Sequence, residues 1–122
     1  MSQANPLLEA AQHGIERRIA DLLSEGEEEL IRVSADLDAR RNYGEQWVVV
    51  TPKQVAVLPN GSGGDPVRIP IESVTLARTE PLVGGGRLEI ERKGLPTVHV
   101  PYSNTQALKF AETARGIEQL RK

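Results

Sequence analysis

Apolar residues between positions 29 and 101 recur in short runs that alternate with polar residues, and each run ends at residues that favour turns. Alternation with a period of two is typical of strands that bury one face. In the first run, Glu29–Leu37, the apolar side chains occupy the odd positions. Further runs follow at Trp47–Thr51, Val55–Leu58, Val67–Ile71, Val74–Glu80, Leu88–Arg92 and Thr97–Pro101. The sequence therefore predicts seven short strands, most of them joined by tight turns.

Proline and glycine mark the connections between these strands. Thr51-Pro52-Lys53-Gln54 predicts a tight hairpin turn, whereas Pro59–Pro66 and Pro81–Gly86 predict two glycine-rich loops. Neither glycine loop ends in Gly-Lys-Ser/Thr ahead of a helix, so neither is expected to bind phosphate. Pro70 lacks a backbone N–H, which places its strand at the edge or end of a sheet.

The residues after the last strand have the period of a helix. Ser103 and Gln106 match the capping box S-x-x-Q, which predicts a helix that starts at Ser103. We expect the apolar face of this helix to cover one open end of the sheet. That face consists of Ala107, Phe110, Ala114 and Ile117, with Leu108, Ala111 and Leu120 beside it.

A second helix is predicted at the N-terminus, where Asn5 can cap it and Pro6 can occupy its first position. The pattern ends near Gly26, so residues 1–25 are expected to be a helical extension of a domain that covers residues 26–122. The narrow apolar stripe of this helix can dock on the domain, or it can pair with a second copy or a partner helix. We expect association through the stripe, for example as a homodimer, with contacts at Leu8, Ala11, Ile15, Ile19 and Leu22.

Composition excludes several classes of function. A chain of 122 residues is enough for one domain, and its net charge of −2 argues against a dedicated nucleic-acid binder. It has no cysteine, which excludes disulfides and thiolate metal sites and fits the cytoplasm. Neither His13 nor His99 has further ligands at metal-binding spacing, and no nucleophile motif is present. We therefore expect that the chain is not an enzyme and that it has no catalytic residues, no metal and no cofactor.

The order of seven short strands and one amphipathic helix resembles the pleckstrin-homology (PH) superfold. The hairpin Trp47–Leu58 also looks like that of bacterial PH-like domains, although Gln54 stands where an arginine is common. The resemblance implies a mainly β fold with helices (α+β). Its parts would be a PH-like, partly open barrel of seven antiparallel strands, a C-terminal helix that caps the barrel, and the extra N-terminal helix.

A narrower resemblance is to the cytoplasmic N-terminal extension of certain bacterial ABC exporters. It is carried by Asp36–Arg40, Tyr43-Gly44, Trp47, Glu80–Glu89 and Pro101–Asn104. It implies a non-catalytic regulatory domain at the inner face of the membrane, in contact with the rest of the transporter or with its own copy. The basic residues Arg115, Arg121 and Lys122 suit the cytoplasmic flank of a membrane span, and they equally suit the C-terminus of a helix.

The PH resemblance also implies a place for an anion, because lipid-binding members hold phosphorylated head groups with basic residues around the first hairpin loop. The candidates here are Arg40, Arg41 and Lys53. Asp36 and Asp38 share the region, so the expected attraction to an anionic membrane surface is weak. The alternative function is therefore a free-standing PH-like module that binds acidic lipid head groups or a peptide.

Overall fold

A computed structural model of the chain describes residues 6–38, 40–60 and 65–122, without the side chains of Tyr43 and Asn60. The predicted Asn5 cap and residues 61–64, in the middle of the first predicted glycine-rich loop, lie outside the described residues. The elements, in chain order, are α1 (His13–Leu22), β1 (Ile31–Leu37), β2 (Tyr43–Val50), β3 (Gln54–Asn60), β4 (Val67–Pro70), β5 (Val74–Leu82), β6 (Gly85–Arg92), β7 (Leu95–Ser103) and α2 (Ala107–Arg121).

The prediction of seven antiparallel strands is confirmed. They are divided between two sheets, with β1 to β4 in sheet A and β5 to β7 in sheet B, and each sheet follows the order of the chain. Strand β4 pairs with β3 alone, which places Pro70 at an edge as its missing N–H requires. Along β1 the residues at odd positions, Ile31, Val33 and Ala35, are buried.

The main core lies between the inner faces of the two sheets and α2. Phe110 of α2 is fully buried and stacks on Tyr102 of β7, with the ring centroids 4.6 Å apart and the planes 3° from parallel. Thr113, Ala114 and Ile117 continue the buried face of α2. The predicted face was therefore correct in its middle, but Ala107 and Leu108 at its start are exposed.

The predicted glycine-rich loop at Pro81–Gly86 is wrong, because β5 and β6 continue into it and only Val83 and Gly84 form the turn. Gly84 has a φ of +80°, a left-handed conformation that glycine adopts without strain. Gly85 lies so close to β7 that an added Cβ would be 2.0 Å from the carbonyl oxygen of Tyr102. The glycines here allow two strands to approach each other, and they do not form an open loop.

The predicted capping box is also wrong. Ser103 makes no capping bond, a short 3-10 turn follows at Asn104–Gln106, and α2 begins at Ala107. The side chains of Ser103 and Gln106 contact Asp36 of β1 instead. Farther along α2, the carboxylate of Glu118 accepts a hydrogen bond of 2.6 Å from the backbone N–H of Ala77, which ties the helix to β5.

Helix α1 is shorter than predicted, since it begins at His13 and Pro6 lies well before it. We call residues 6–23 the N-terminal arm. The arm pairs with β1 at Leu8, and α1 packs on the outer face of sheet A, opposite the main core. The division of the chain at residue 26 stays a prediction.

Candidate interaction surfaces

The loop between β1 and β2 carries the two neighbouring arginines of the predicted anion site. Asp38 Oδ1 accepts hydrogen bonds from the backbone N–H groups of Arg40, at 2.8 Å, and Asn42, at 3.0 Å. Arg41 has a φ of +66°, and its Nη2 donates a hydrogen bond of 2.8 Å to the carbonyl oxygen of Val83. This bond joins the loop to the β5–β6 turn, so that residues from both sheets meet at one end of the molecule.

We call this place the Arg41 end. It contains an open hollow of about 550 Å³, lined by Leu37, Arg41, Asn42, Val83, Gly84 and Ser103. Val83 is 94% exposed beside it, and Arg40 is exposed nearby. An exposed apolar side chain next to two cations suits contact with a surface that is partly apolar and partly acidic.

Lys53, the third residue of the predicted anion site, lies at the opposite end of sheet A. Strand β2 separates it from Arg41, and eight residues of extended chain span on the order of 25 Å. The structure therefore brings Arg40 and Arg41 together but does not add Lys53 to them. Lys53 lines a separate hollow of about 310 Å³ together with Ser24, Glu27, Gln54, Arg68 and Pro70.

Glu27 organises the polar contacts around this second hollow. Its Oε2 accepts hydrogen bonds from Thr51 Oγ1, at 2.5 Å, and from Gln54 Nε2, at 2.9 Å. Burial alone would raise the pKa of Glu27, but the hydrogen bonds from Thr51, the Ser24 N–H and Gln54, together with the Lys53 charge, lower it below its usual value. Gln54 and Arg68 also donate to the carbonyl oxygen of Leu22. These residues therefore fix the end of α1 against sheet A.

The apolar stripe of α1 has a partner within the same chain. Ile15, Ile19 and Leu22 are buried against a second cluster on the outer face of sheet A, formed by Trp47, Val49, Ala56 and Leu58. Ala11 packs at the edge of this cluster, whereas Leu8 is 44% exposed. A dimer formed through the three buried side chains would first require α1 to leave its own sheet. The stripe thus docks on its own domain, which is one of the arrangements that its pattern allows, and association between copies stays a prediction.

Ahead of α1, the arm runs along the edge of β1. Leu7 and Glu9 exchange backbone hydrogen bonds with Arg32, so that Leu8 pairs with Arg32 in a parallel bridge. The Glu9 carboxylate contacts Ser34 of β1 and Lys109 of α2. Sequence reasoning missed Glu9 and Lys109 because they are far apart in the chain and neither belongs to a motif.

A third polar group covers the outer face of sheet B. The side chain of Glu89 is 6% exposed and lies between Arg78, at 2.9 Å, and Arg87, at 2.7 Å. His99 Nδ1 is 3.5 Å from the same carboxylate, and Glu89 faces both Arg78 and His99 across the strands. Arg78 and Glu89 form a cross-strand pair of opposite charges, which stabilises a sheet.

The sequence matches no protein-family model and no curated protein. Among solved structures, the chain is similar to a DUF1696 family protein with a pleckstrin-homology domain from Shewanella loihica PV-4. The TM-score is 0.62 at 11% sequence identity, and the match covers 89% of this chain and 98% of the other. The likeness shows a PH-like fold. Within the described residues, no helix is long and apolar enough to cross a membrane.

Proposed function

We propose that this chain is a non-catalytic protein-interaction domain that contacts its partner at the Arg41 end. The observation that carries the proposal is the exposure of Val83, 94%, beside the cations of the β1–β2 loop. A single exposed apolar side chain is common on protein surfaces, so what marks this end is that Val83 lies beside an open hollow and two arginines. The bond between Arg41 and Val83 supports the proposal further, because a fixed loop loses less entropy on binding.

The charge of this end favours a partner with acidic groups around an apolar contact. Arg40 is exposed, whereas Asp38 is half-buried and its Oδ1 accepts hydrogen bonds from two N–H groups of its own loop, so that the cation is the more accessible charge. Peripheral charges of this kind accelerate association and select the partner more than they add affinity. A head-group site needs several cations that converge, and Lys53 is too distant to complete one with Arg40 and Arg41.

The finer proposal is that the domain is the cytoplasmic N-terminal domain of an ABC exporter, where the partner is the transporter itself. Support comes from the resemblance of residues 36–47, 80–89 and 101–104 to such extensions. The complete reading frame of the gene tests it. A membrane-spanning region and a nucleotide-binding domain after Lys122 are expected, and a stop codon at that point would overturn it.

Site-specific photo-crosslinking tests the contact surface in the full-length protein inside its own cells. A photoreactive residue at position 83 should crosslink to a protein peptide that contains acidic residues, and Arg41→Glu should abolish the product. The matched control is position 95, because Leu95 is also an exposed apolar residue, at 58%, but lies at the start of β7, opposite the far end of β6. Equal crosslinking from both positions, or none from position 83, would overturn the proposal.

The lipid alternative is tested on the same cations. Vesicles of phosphatidylcholine, with and without phosphatidylserine, are sedimented with the chain at low salt. If the chain sediments only with phosphatidylserine, and Arg40→Glu with Arg41→Glu prevents this, the cations serve a membrane and the protein contact is wrong. No sedimentation in either case is the result that the proposal expects.

A further inference from the structure

The edge of β1 and the side of α2 form a groove that the chain fills with its own residues Leu7–Glu9. Arg32 N donates to the Leu7 carbonyl oxygen at 2.6 Å, and Glu9 N donates to the Arg32 carbonyl oxygen at 2.8 Å. These are the bonds of an added strand. Addition of an extended segment to a sheet edge is a general way to bind peptides, in which the backbone supplies affinity and alternate side chains supply specificity.

The side chains on either side of Leu8 enter the groove. Leu7 packs against the main core, whereas Leu8 is 44% exposed. Glu9 Oε1 accepts a bond of 2.9 Å from Ser34 Oγ, and its Oε2 lies 2.8 Å from Lys109 Nζ. Lys109 Nζ also donates to the Ser34 carbonyl oxygen at 2.6 Å, which holds α2 against β1. The groove thus reads an apolar residue and, two positions later, a carboxylate.

The hold of Leu7–Glu9 is limited to this short stretch. Two of its hydrogen bonds to β1 join backbone atoms, both at Arg32, and residues 10–12 lead to α1 without regular structure. The stretch can therefore open while α1 stays on sheet A, because α1 has its own buried side chains. Beside Pro6 and Leu7 the surface continues as a hollow of about 300 Å³, lined also by Leu108, Lys109 and Glu112, with Leu108 74% exposed.

We infer that the β1–α2 groove is a peptide-binding site for an extended segment of a partner protein with an apolar residue followed, two positions later, by an acidic residue. Leu7–Glu9 occupies it in the unbound chain and competes with the partner. The pattern required of the partner rests on the side chains of the groove: Ser34 Oγ and Lys109 Nζ suit a carboxylate, and the core beside Leu7 suits an apolar side chain. The site differs from the Arg41 end, so either proposal can fail alone.

The experiment uses the full chain and a fluorescent synthetic peptide with the sequence of residues 6–12. Leu7→Asp with Glu9→Ala removes both groove side chains of the competing stretch, and fluorescence anisotropy should show binding about tenfold tighter than in the wild type. Lys109→Ala in that background should abolish binding. Peptides with alanine at the Leu7 or Glu9 position should lose affinity, whereas alanine at the Leu8 position should not.

Two controls separate binding from misfolding and from self-exchange. Glu9→Ala alone is the milder release variant, and amide hydrogen exchange should become faster at Arg32 and be slowed again by peptide. The proposal is overturned if the folded release variants show no saturable binding, or if they bind peptides with and without the glutamate equally well. Wild-type dimers in light scattering that become monomers in the release variants would also overturn it, since the occupant would then be the arm of a second copy.

Discussion

Asp36 and Ser103 join the end of β1 to the end of β7 across the gap between the two sheets. The Asp36 carboxylate accepts hydrogen bonds from the backbone N–H of Ser103, at 3.0 Å, and from its hydroxyl. In return, the Asp36 N–H donates to Gln106 Oε1 at 3.0 Å, just before α2. One aspartate therefore fixes the entry to the C-terminal helix, and with it the position of the helix between the sheets.

The Asp36 contact predicts a specific loss of stability in acid. Burial alone would raise the pKa of Asp36, but the bonds from Ser103 and the Lys109 charge hold it below its usual value. A lowered native pKa gives stabilisation that is complete above the unfolded value, about 3.9, and disappears as the pH falls through the native pKa. Urea unfolding should show that Asp36→Asn lowers the free energy of unfolding by about 1–3 kcal/mol at neutral pH. The loss should be much smaller at a pH below the native pKa of Asp36.

The control for this measurement is Asp21→Asn, since Asp21 is exposed on α1. It should change the free energy of unfolding by less than about 0.5 kcal/mol at any pH. A double-mutant cycle with Ser103→Ala should give a coupling of about 0.5–3 kcal/mol between Asp36 and Ser103. Strictly additive effects would mean that the two residues do not act together.

Phe110 and Leu108 are two residues apart on α2, and their replacement by alanine should have different effects on stability. Phe110 is fully buried against Tyr102, so Phe110→Ala should lower the free energy of unfolding by about 3–5 kcal/mol. Leu108 is 74% exposed, and Leu108→Ala should stay within about 0.5 kcal/mol of the wild type. Chemical denaturation of both variants tests which face of α2 is buried. Similar losses in the free energy of unfolding would show that the helix is rotated differently.

Gly85 and Gly14 offer a comparable contrast. Gly85→Ala should prevent the pairing of β6 with β7, because its Cβ would overlap the Tyr102 carbonyl oxygen. Nothing lies within 4 Å of a Cβ added at Gly14 in α1, so Gly14→Ala should stabilise the chain by up to about 1 kcal/mol. Thermal unfolding should thus show a lower midpoint for Gly85→Ala and an unchanged or higher midpoint for Gly14→Ala.

The strands could be predicted from the sequence because their signals are local. Alternation in Ile31–Leu37 and the turn around Pro52 need no knowledge of distant residues. The predicted capping box is absent because Ser103 and Gln106 form hydrogen bonds with Asp36 instead. Asp36 precedes Ser103 by 67 residues, so no local pattern indicates this contact. The glycines at 84–86 are typical of a loop in sequence, because the sequence does not reveal how closely β7 approaches them.

The site was predictable to the same extent. Arg40 and Arg41 are adjacent in sequence and share a loop, whereas the length of β2 separates them from Lys53. Glu9 and Lys109 meet only because the N-terminal arm follows the edge of β1 up to α2. The α1 stripe was visible as apolar, but periodicity does not identify the surface that covers it.

The central claim is that the N-terminal arm covers the outer face of sheet A in its own chain. The fluorescence emission of Trp47, the one tryptophan in the sequence, tests this claim most directly. Trp47 is 5% exposed in the cluster beneath α1. The wild type should emit as a buried indole, and Ile19→Asp should shift the emission to longer wavelength with little change in β-sheet circular dichroism, whereas Ala20→Asp on the exposed side of α1 should not. A wild type that already emits as an exposed indole, or an Ile19→Asp spectrum identical to it, would contradict the account.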